Sequence, residues 1–195
     1  MSSVSYSFSE QLAPTSAGGC LLGASPAMQE VFRLIERVGP TEASVLLTGE
    51  SGSGKELAAR SIHQSSSRRG GPFIAISCGA MPARLMEAEF ERAQGGTLLL
   101  DEVTEMPLDI QMRLLRVLET RKFYRVGSNT EFTADVRIIA ATNRCPLQAV
   151  QNGRLREDLL YRLAVFPIEM PPLRTRGDDV DELAEHFLSN LNLEV

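Results

Sequence analysis

The sequence predicts an α/β fold: a parallel five-stranded sheet flanked by helices and carrying a phosphate-binding loop. Three observations lead there. Short, nearly all-apolar runs alternate with segments of helical periodicity, and strands apolar on both faces belong to parallel sheets covered on both sides. The first such run, Val45-Leu46-Leu47-Thr48, leads into Gly49-Glu50-Ser51-Gly52-Ser53-Gly54-Lys55-Glu56, with the spacing G-x-x-x-x-G-K and a helical pattern behind it. Gly49, Asp101 and Asn143 all fall at the carboxyl ends of runs, where ligands sit in such sheets.

The elements follow in order. Residues 1–20 are rich in Ser, Thr, Gly and Pro without apolar periodicity, and read as a flexible lead-in. Ser25-Pro26 caps and opens a helix through Arg37, with Met28, Val31, Phe32 and Ile35 at helical spacing. Lys55 to Gln64 is the helix after the glycine loop. Phe73-Ile74-Ala75-Ile76 is the second strand and Thr97-Leu98-Leu99-Leu100-Asp101 the third. Pro107 begins a helix with Leu108, Met112, Leu115 and Leu118 on one face. Val136 to Thr142 and Val165 to Met170 are the fourth and fifth strands, and a last helix starts at Asp178.

The 195 residues, 43% hydrophobic and 23% charged, suit one sizeable domain. A net charge of −5 gives no electrostatic footprint for nucleic acid, so direct DNA binding is not expected. Cys20, Cys78 and Cys145 match no zinc or redox spacing and read as reduced thiols. His63 and His186 read as ordinary helix-surface residues. With no signal segment and no membrane-length apolar run, a cytoplasmic protein is expected.

The chemistry lies in four places. The glycine loop lets successive backbone N–H groups and a helix N-terminus face phosphate oxygens, with Lys55 reaching the outer phosphates; the competing reading is a plain Gly/Ser turn. Glu56 stands where the general pattern has a magnesium-ligating hydroxyl, so a metal relies on Asp101 and water. Adjacent carboxylates at the end of a buried strand, Asp101-Glu102, are costly without a task. Asp101 suits magnesium, directly or through water, and Glu102 suits the water that attacks a terminal phosphate. Asn143 is a weaker signal, a water-orienting or phosphate-sensing group or a common strand end. Arg156 and Arg162 are arginine-finger candidates, although the residues alone favour a solvated helix in which Arg156 pairs with its acidic neighbours.

From about Leu21 to about Phe187 the chain resembles the AAA+ ATPase domain of bacterial sigma-54-dependent transcription activators. The resemblance rests on Leu22-Gly23-Ala24-Ser25-Pro26-Ala27-Met28, the loop Gly49 to Glu56 with its unusual Glu56, and Phe90-Glu91-Arg92-Ala93-Gln94-Gly95-Gly96-Thr97 running into Asp101-Glu102. Gln111 to Leu118, Arg125-Val126-Gly127, Ala141-Thr142-Asn143, Arg156-Glu157-Asp158-Leu159 and Pro171-Pro172-Leu173-Arg174 complete it. It implies an AAA+ core at 21–173, the start of a truncated helical lid at 174–195, and ATP and magnesium as ligands. It also implies self-association into rings, commonly hexamers, and ATP hydrolysis that remodels sigma-54 RNA polymerase. By the same resemblance Leu22 and Gly23 join the loop in holding nucleotide, and Asp101 and Glu102 match the Walker B pair. Asn143 matches sensor I, and Arg156 and Arg162 match fingers acting on a neighbour's ATP.

Three departures accompany it. The family's GAFTGA loop, the element that touches sigma-54, is absent: Leu85-Met86-Glu87-Ala88-Glu89 runs almost directly into Phe90-Glu91-Arg92-Ala93. Ser77 stands where the family usually has the Asn that restrains the catalytic glutamate. The chain is expected to carry little of the lid, no sensor II arginine, no helix-turn-helix and no receiver domain. An ATP-binding and ATP-hydrolysing regulator domain without productive sigma-54 contact is therefore expected. The alternatives are a non-catalytic nucleotide-binding regulatory or interaction protein and, more weakly, a monomeric P-loop phosphotransferase.

Overall fold

Side chains alternate across a strand, so a strand that is apolar throughout must be covered on both faces. The computed structural model, which describes residues 21–80, 86–124 and 131–192, shows this directly. Helix α1 (Pro26–Val38) is followed by β1 (Val45–Thr48), α2 (Lys55–Gln64), β2 (Phe73–Ser77), α3 (Met86–Arg92), β3 (Thr97–Asp101) and α4 (Leu108–Thr120). A hairpin of β4 (Lys122–Tyr124) and β5 (Glu131–Thr133) precedes β6 (Arg137–Thr142), α5 (Pro146–Gln151), α6 (Glu157–Leu163), β7 (Phe166–Glu169) and α7 (Asp179–Asn192). The main sheet has the order β2-β3-β6-β1-β7, and its neighbours pair in parallel. The expected five-stranded parallel sheet is therefore present, with strand ends within two residues of those read from the sequence.

Two apolar cores lie against the sheet. Leu46, Leu98, Leu100, Ile138 and Ala140 face one core, with Ile110 and Leu114 of α4 and Leu159 and Leu163 of α6. Val45, Leu47, Leu99, Ile139 and Ala141 face the other, with Val31 and Ile35 of α1 and Ala58 and Ile62 of α2. Each buried Leu or Ile is worth about 1.5–3 kcal/mol, so β1, β3 and β6 are pinned from both sides. Their carboxyl ends become a rigid rim.

Two expectations need correction. Helix α4 does not bury Leu108 and Met112, which are 52% and 54% exposed; its buried face is Ile110, Gln111, Leu114 and Val117. Both stripes repeat at helical spacing, and polar Gln111 disguised the true one. His63 is buried rather than on a helix surface, because it shares the inner face of α2 with Ala59 and Ile62. Its Nδ1 lies 2.9 Å from Thr97 Oγ1. The antiparallel β4–β5 hairpin was not foreseen. The lead-in at 1–20, Cys20, Leu85 and the Arg125-Val126-Gly127 motif fall outside the described residues. No helix among the described residues is long and apolar enough to cross a membrane.

Among the described residues Arg137 is the largest fully buried side chain. Its guanidinium donates to Gly39 O at 2.7 Å and Val38 O at 2.9 Å, capping the carboxyl end of α1 from the first residue of β6. Burial pushes this guanidinium below its ordinary range, and the Glu42 carboxylate opposes that shift. Arg137→Met leaves the buried Gly39 carbonyl without its donor, while Val38 O keeps the Thr41 amide and hydroxyl, and should cost about 1–3 kcal/mol. The cost should appear as a lower urea midpoint at unchanged slope; an unchanged midpoint would show that α1 does not depend on this bond pair.

Candidate functional site

The carboxyl ends of β1, β3 and β6 meet at one open cavity of about 280 Å³, lined by Ser51, Gly52, Gly54, Lys55, Glu56, Leu57, Asp101, Glu102 and Asn143. Strand order explains the convergence. β6 lies between β1 and β3, so the glycine loop and the acidic pair face each other across Asn143.

The loop conformation follows from its glycines. Gly54 has φ +95°, which a side chain resists, and it turns the chain into α2. Gly49 passes so close to the next strand's end that a Cβ there would sit 2.8 Å from Met170 O. No protein acceptor among the described residues takes the amides of Gly52, Gly54, Lys55 or Glu56. Helix α2 therefore begins with unpaired donors and a positive dipole end facing the cavity. Lys55 Nζ folds over the loop and donates to Gly49 O at 2.9 Å and Glu50 O at 2.8 Å. Burial pulls this ammonium below its usual range, and the Asp101 and Glu102 carboxylates pull it back up. An amide row with a lysine over it, opposite two carboxylates, is complementary to an anion that carries a cation.

On the acidic side, Glu102 holds a left-handed backbone, φ 53° and ψ 44°, a strain of about 1–3 kcal/mol of the kind that collects at functional sites. Its amide donates to Asp101 Oδ1 at 2.9 Å, and its Oε2 accepts from Ser77 Oγ at 3.0 Å. Ser77 is shorter than the expected Asn yet still reaches the carboxylate. Thr104 and Thr142 meet through their hydroxyls at 2.9 Å, tying the turn after Glu102 to the strand before Asn143.

Hard carboxylate oxygens suit magnesium, which is commonly held by one or two carboxylates plus phosphate oxygens and water. No cluster of three ligating side chains exists among the described residues, so a protein-only cage is absent, and a metal shared with a bound phosphate fits. Glu56 lines the cavity, but its Oε1 is taken by Arg60 at 2.7 Å.

Other expected residues lie apart. Ser53 is buried behind the loop. Glu50 points away to Arg174 at 2.7 Å, and that hydrogen bond holds its carboxyl below the usual range. Leu22 and Gly23 do not line the cavity; they lead into Ala24 and Ser25, whose amides Asp179 Oδ1 accepts at 2.7 and 2.8 Å. Arg156 and Arg162 are outside it too. Arg156 pairs with Asp158 at 2.7 Å, and Arg162 approaches Glu119 at 3.9 Å.

Sequence reasoning missed Gln111. It is fully buried, donates to Met106 O and Arg154 O at 2.7 Å each, and accepts from the Arg156 amide at 2.9 Å. It thereby joins the turn after the acidic pair to the segment presenting Arg156. A lone glutamine at a core position of a helix was the available signal.

The chain is similar to known proteins over most of its described length. The family model for the sigma-54 interaction domain matches residues 21–90 and 87–169. Its two matched stretches overlap at 87–90. The DNA-binding transcriptional regulator NtrC of Azospirillum brasilense is 48% identical over 188 aligned positions, covering 87% of this chain and 39% of that protein. The aligned stretch is longer than the part of this chain that pairs with it, so the relative carries residues that this chain lacks. The chain spans about two fifths of such relatives. NtrX from Brucella abortus in complex with ATP matches with TM-score 0.83 and 40% identity, over 89% of this chain and 44% of that one. The P-loop NTPase domain of a sigma-54 activator from E. coli matches in fold, with TM-score 0.60 and 21% identity, over 78% and 99% of the two chains.

Cys78 provides a check on the site. It is fully buried at the end of β2, and burial, aided by Asp101 and Glu102, pushes its thiol up to about 12. The reactive thiolate is then scarce at pH 8, whereas Cys145 is exposed. In a Cys20→Ser background, a thiol reagent at pH 8 should label Cys145 at once and Cys78 only on unfolding. Rapid native labelling of both would contradict this placement.

Proposed function

The chain belongs to the sigma-54 interaction domain family, and on that premise we propose that it binds ATP with magnesium and hydrolyses it in a self-assembled ring. One observation carries this reading: unpaired amides and Lys55 face Asp101 and Glu102 across a single cavity.

The residues divide the work. The amides of Gly52, Gly54, Lys55 and Glu56 hold the inner phosphates, and Lys55 leaves its carbonyl partners for the outer ones. Asp101 holds magnesium, which neutralises charge on the phosphate oxygens when bound. Glu102 orients a water toward the terminal phosphate and accepts its proton, so that ADP and inorganic phosphate leave. Ser77 holds the Glu102 carboxylate until then, and Asn143 faces the terminal phosphate. Leu22 and Gly23 border the nucleoside end. Arg156 and Arg162, being outside the cavity, act on the ATP of the next subunit. Both must leave their carboxylate partners, Asp158 and Glu119, to do so.

The missing loop favours a second element of the proposal. The chain keeps the nucleotide machinery and lacks the segment that the resemblance assigns to sigma-54 contact, so it acts as a nucleotide-dependent regulator within a ring rather than as a remodeller of polymerase. A cytoplasmic location is part of the same proposal, supported by its relatives' printed role as transcriptional regulators.

ATP turnover per chain should rise with protein concentration. Arg156→Ala should lower turnover by about 10³-fold with ATP affinity unchanged, and Glu102→Ala should keep binding while abolishing turnover. Concentration-independent turnover that is indifferent to Arg156 would reject the ring. Sigma-54 mixed with the chain and a transition-state nucleotide analogue should form no stable complex on gel filtration; co-elution would reject the second element.

A further inference from the structure

Behind the glycine loop lies a buried arginine that the scheme above does not use. Arg176 is 4% exposed. Its Nε donates to Pro171 O at 2.9 Å, and one terminal nitrogen donates to Pro171 O at 2.8 Å and also to Ser53 O. Ser53 is itself buried, 5% exposed, while Gly54 lines the cavity. We propose that Arg176 is a positioning residue for phosphate binding, which turns the Gly54 amide into the cavity by holding the Ser53 carbonyl behind the loop. This rests on the phosphate-binding reading given above.

The geometry follows from the peptide unit. No peptide bond in the chain is cis among the described residues, and in a trans peptide the C=O and N–H point in opposite directions. A carbonyl of Ser53 fixed toward Arg176 therefore fixes the amide of Gly54 away from it, on the cavity side. The first helix-type bond of α2 runs from Ala58 N to Gly54 O, and among the described residues no backbone donor takes Ser53 O. Gly54, at φ +95°, has no side chain to oppose a flip of this peptide. Without Arg176, the Ser53 carbonyl would turn toward water in the cavity and the amide would face the interior.

Arginine suits the task. Its planar fork spans two carbonyls and keeps its charge when buried. The segment that bears it is also fastened: Asp179, three residues on and 2% exposed, accepts from the amides of Ala24 and Ser25 and from Ser25 Oγ at 2.6 Å. The start of α7 is thereby locked to the start of α1, and Arg176 is held at a fixed distance from the loop.

The test is the Gly54 amide in ¹H–¹⁵N spectra of the whole chain titrated with ADP, in wild type, Arg176→Met and Arg176→Lys. In wild type, a large downfield shift of Gly54 is expected. In Arg176→Met the shift should vanish and ADP affinity fall about tenfold or more, while the Ala24 and Ser25 amides keep their positions. Arg176→Lys, with one ammonium in place of the fork, should recover part of both. If Arg176→Met does not fold, the reduced Gly54 shift in Arg176→Lys carries the same information. A wild-type Gly54 indifferent to ADP would reject the phosphate-binding reading itself. A wild-type shift reproduced in full, with unchanged affinity, in the Arg176 variants would overturn this inference alone.

Discussion

The first turn of Lys55–Gln64 presents amides that no protein acceptor among the described residues satisfies, and the rest of the site is arranged around keeping them so. Unpaired donors are tolerable only where water or a ligand reaches them. The parallel sheet supplies that place, because strands covered on both faces leave their carboxyl ends as the open rim. Met170 O and Arg176 back the loop from behind. The acidic pair stands opposite on β3, and β6 sets the spacing between them. Removing the donors would leave Asp101 and Glu102 as two neighbouring carboxylates with only Lys55 to answer them.

The apolar cores explain how much of this was legible from residues alone. β1, β3 and β6 bury side chains on both faces, so their sequences are continuous apolar runs, and the polar residue ending each run marks the site. Glycine spacing identified the loop because only close backbone approach demands it there. What stayed hidden depends on contacts distant in sequence. Gln111 looks like a polar interruption until its partners at Met106, Arg154 and Arg156 are seen. Arg176 reads as a loop arginine, although it is buried against Ser53, 123 residues away. Leu108 and Met112 match the helical period as well as Ile110 and Leu114 do, and only the packing of α4 on α6 separates the two faces.

The site also separates two tasks that the family combines. Phosphate binding and water activation rest on residues that are present and mutually bonded, including Ser77, which does from a shorter side chain what a longer amide is expected to do. The loop that the resemblance assigns to sigma-54 contact has no counterpart between Leu85 and Phe90 of the sequence. Gln111 joins the turn following Glu102 to the backbone of Arg156, which on the proposed reading links one subunit's site to the finger it offers its neighbour. On the proposed reading, the chain hydrolyses nucleotide within an assembly and passes that state to its neighbours rather than to polymerase.

Calorimetric titration of the whole chain with ADP and ATP tests the central claim most directly. The unpaired amides and Lys55 predict saturable, one-to-one binding of both nucleotides that Lys55→Ala weakens at least tenfold, with adenosine binding far more weakly than either. Absence of binding, or equal affinity in Lys55→Ala, would contradict the account.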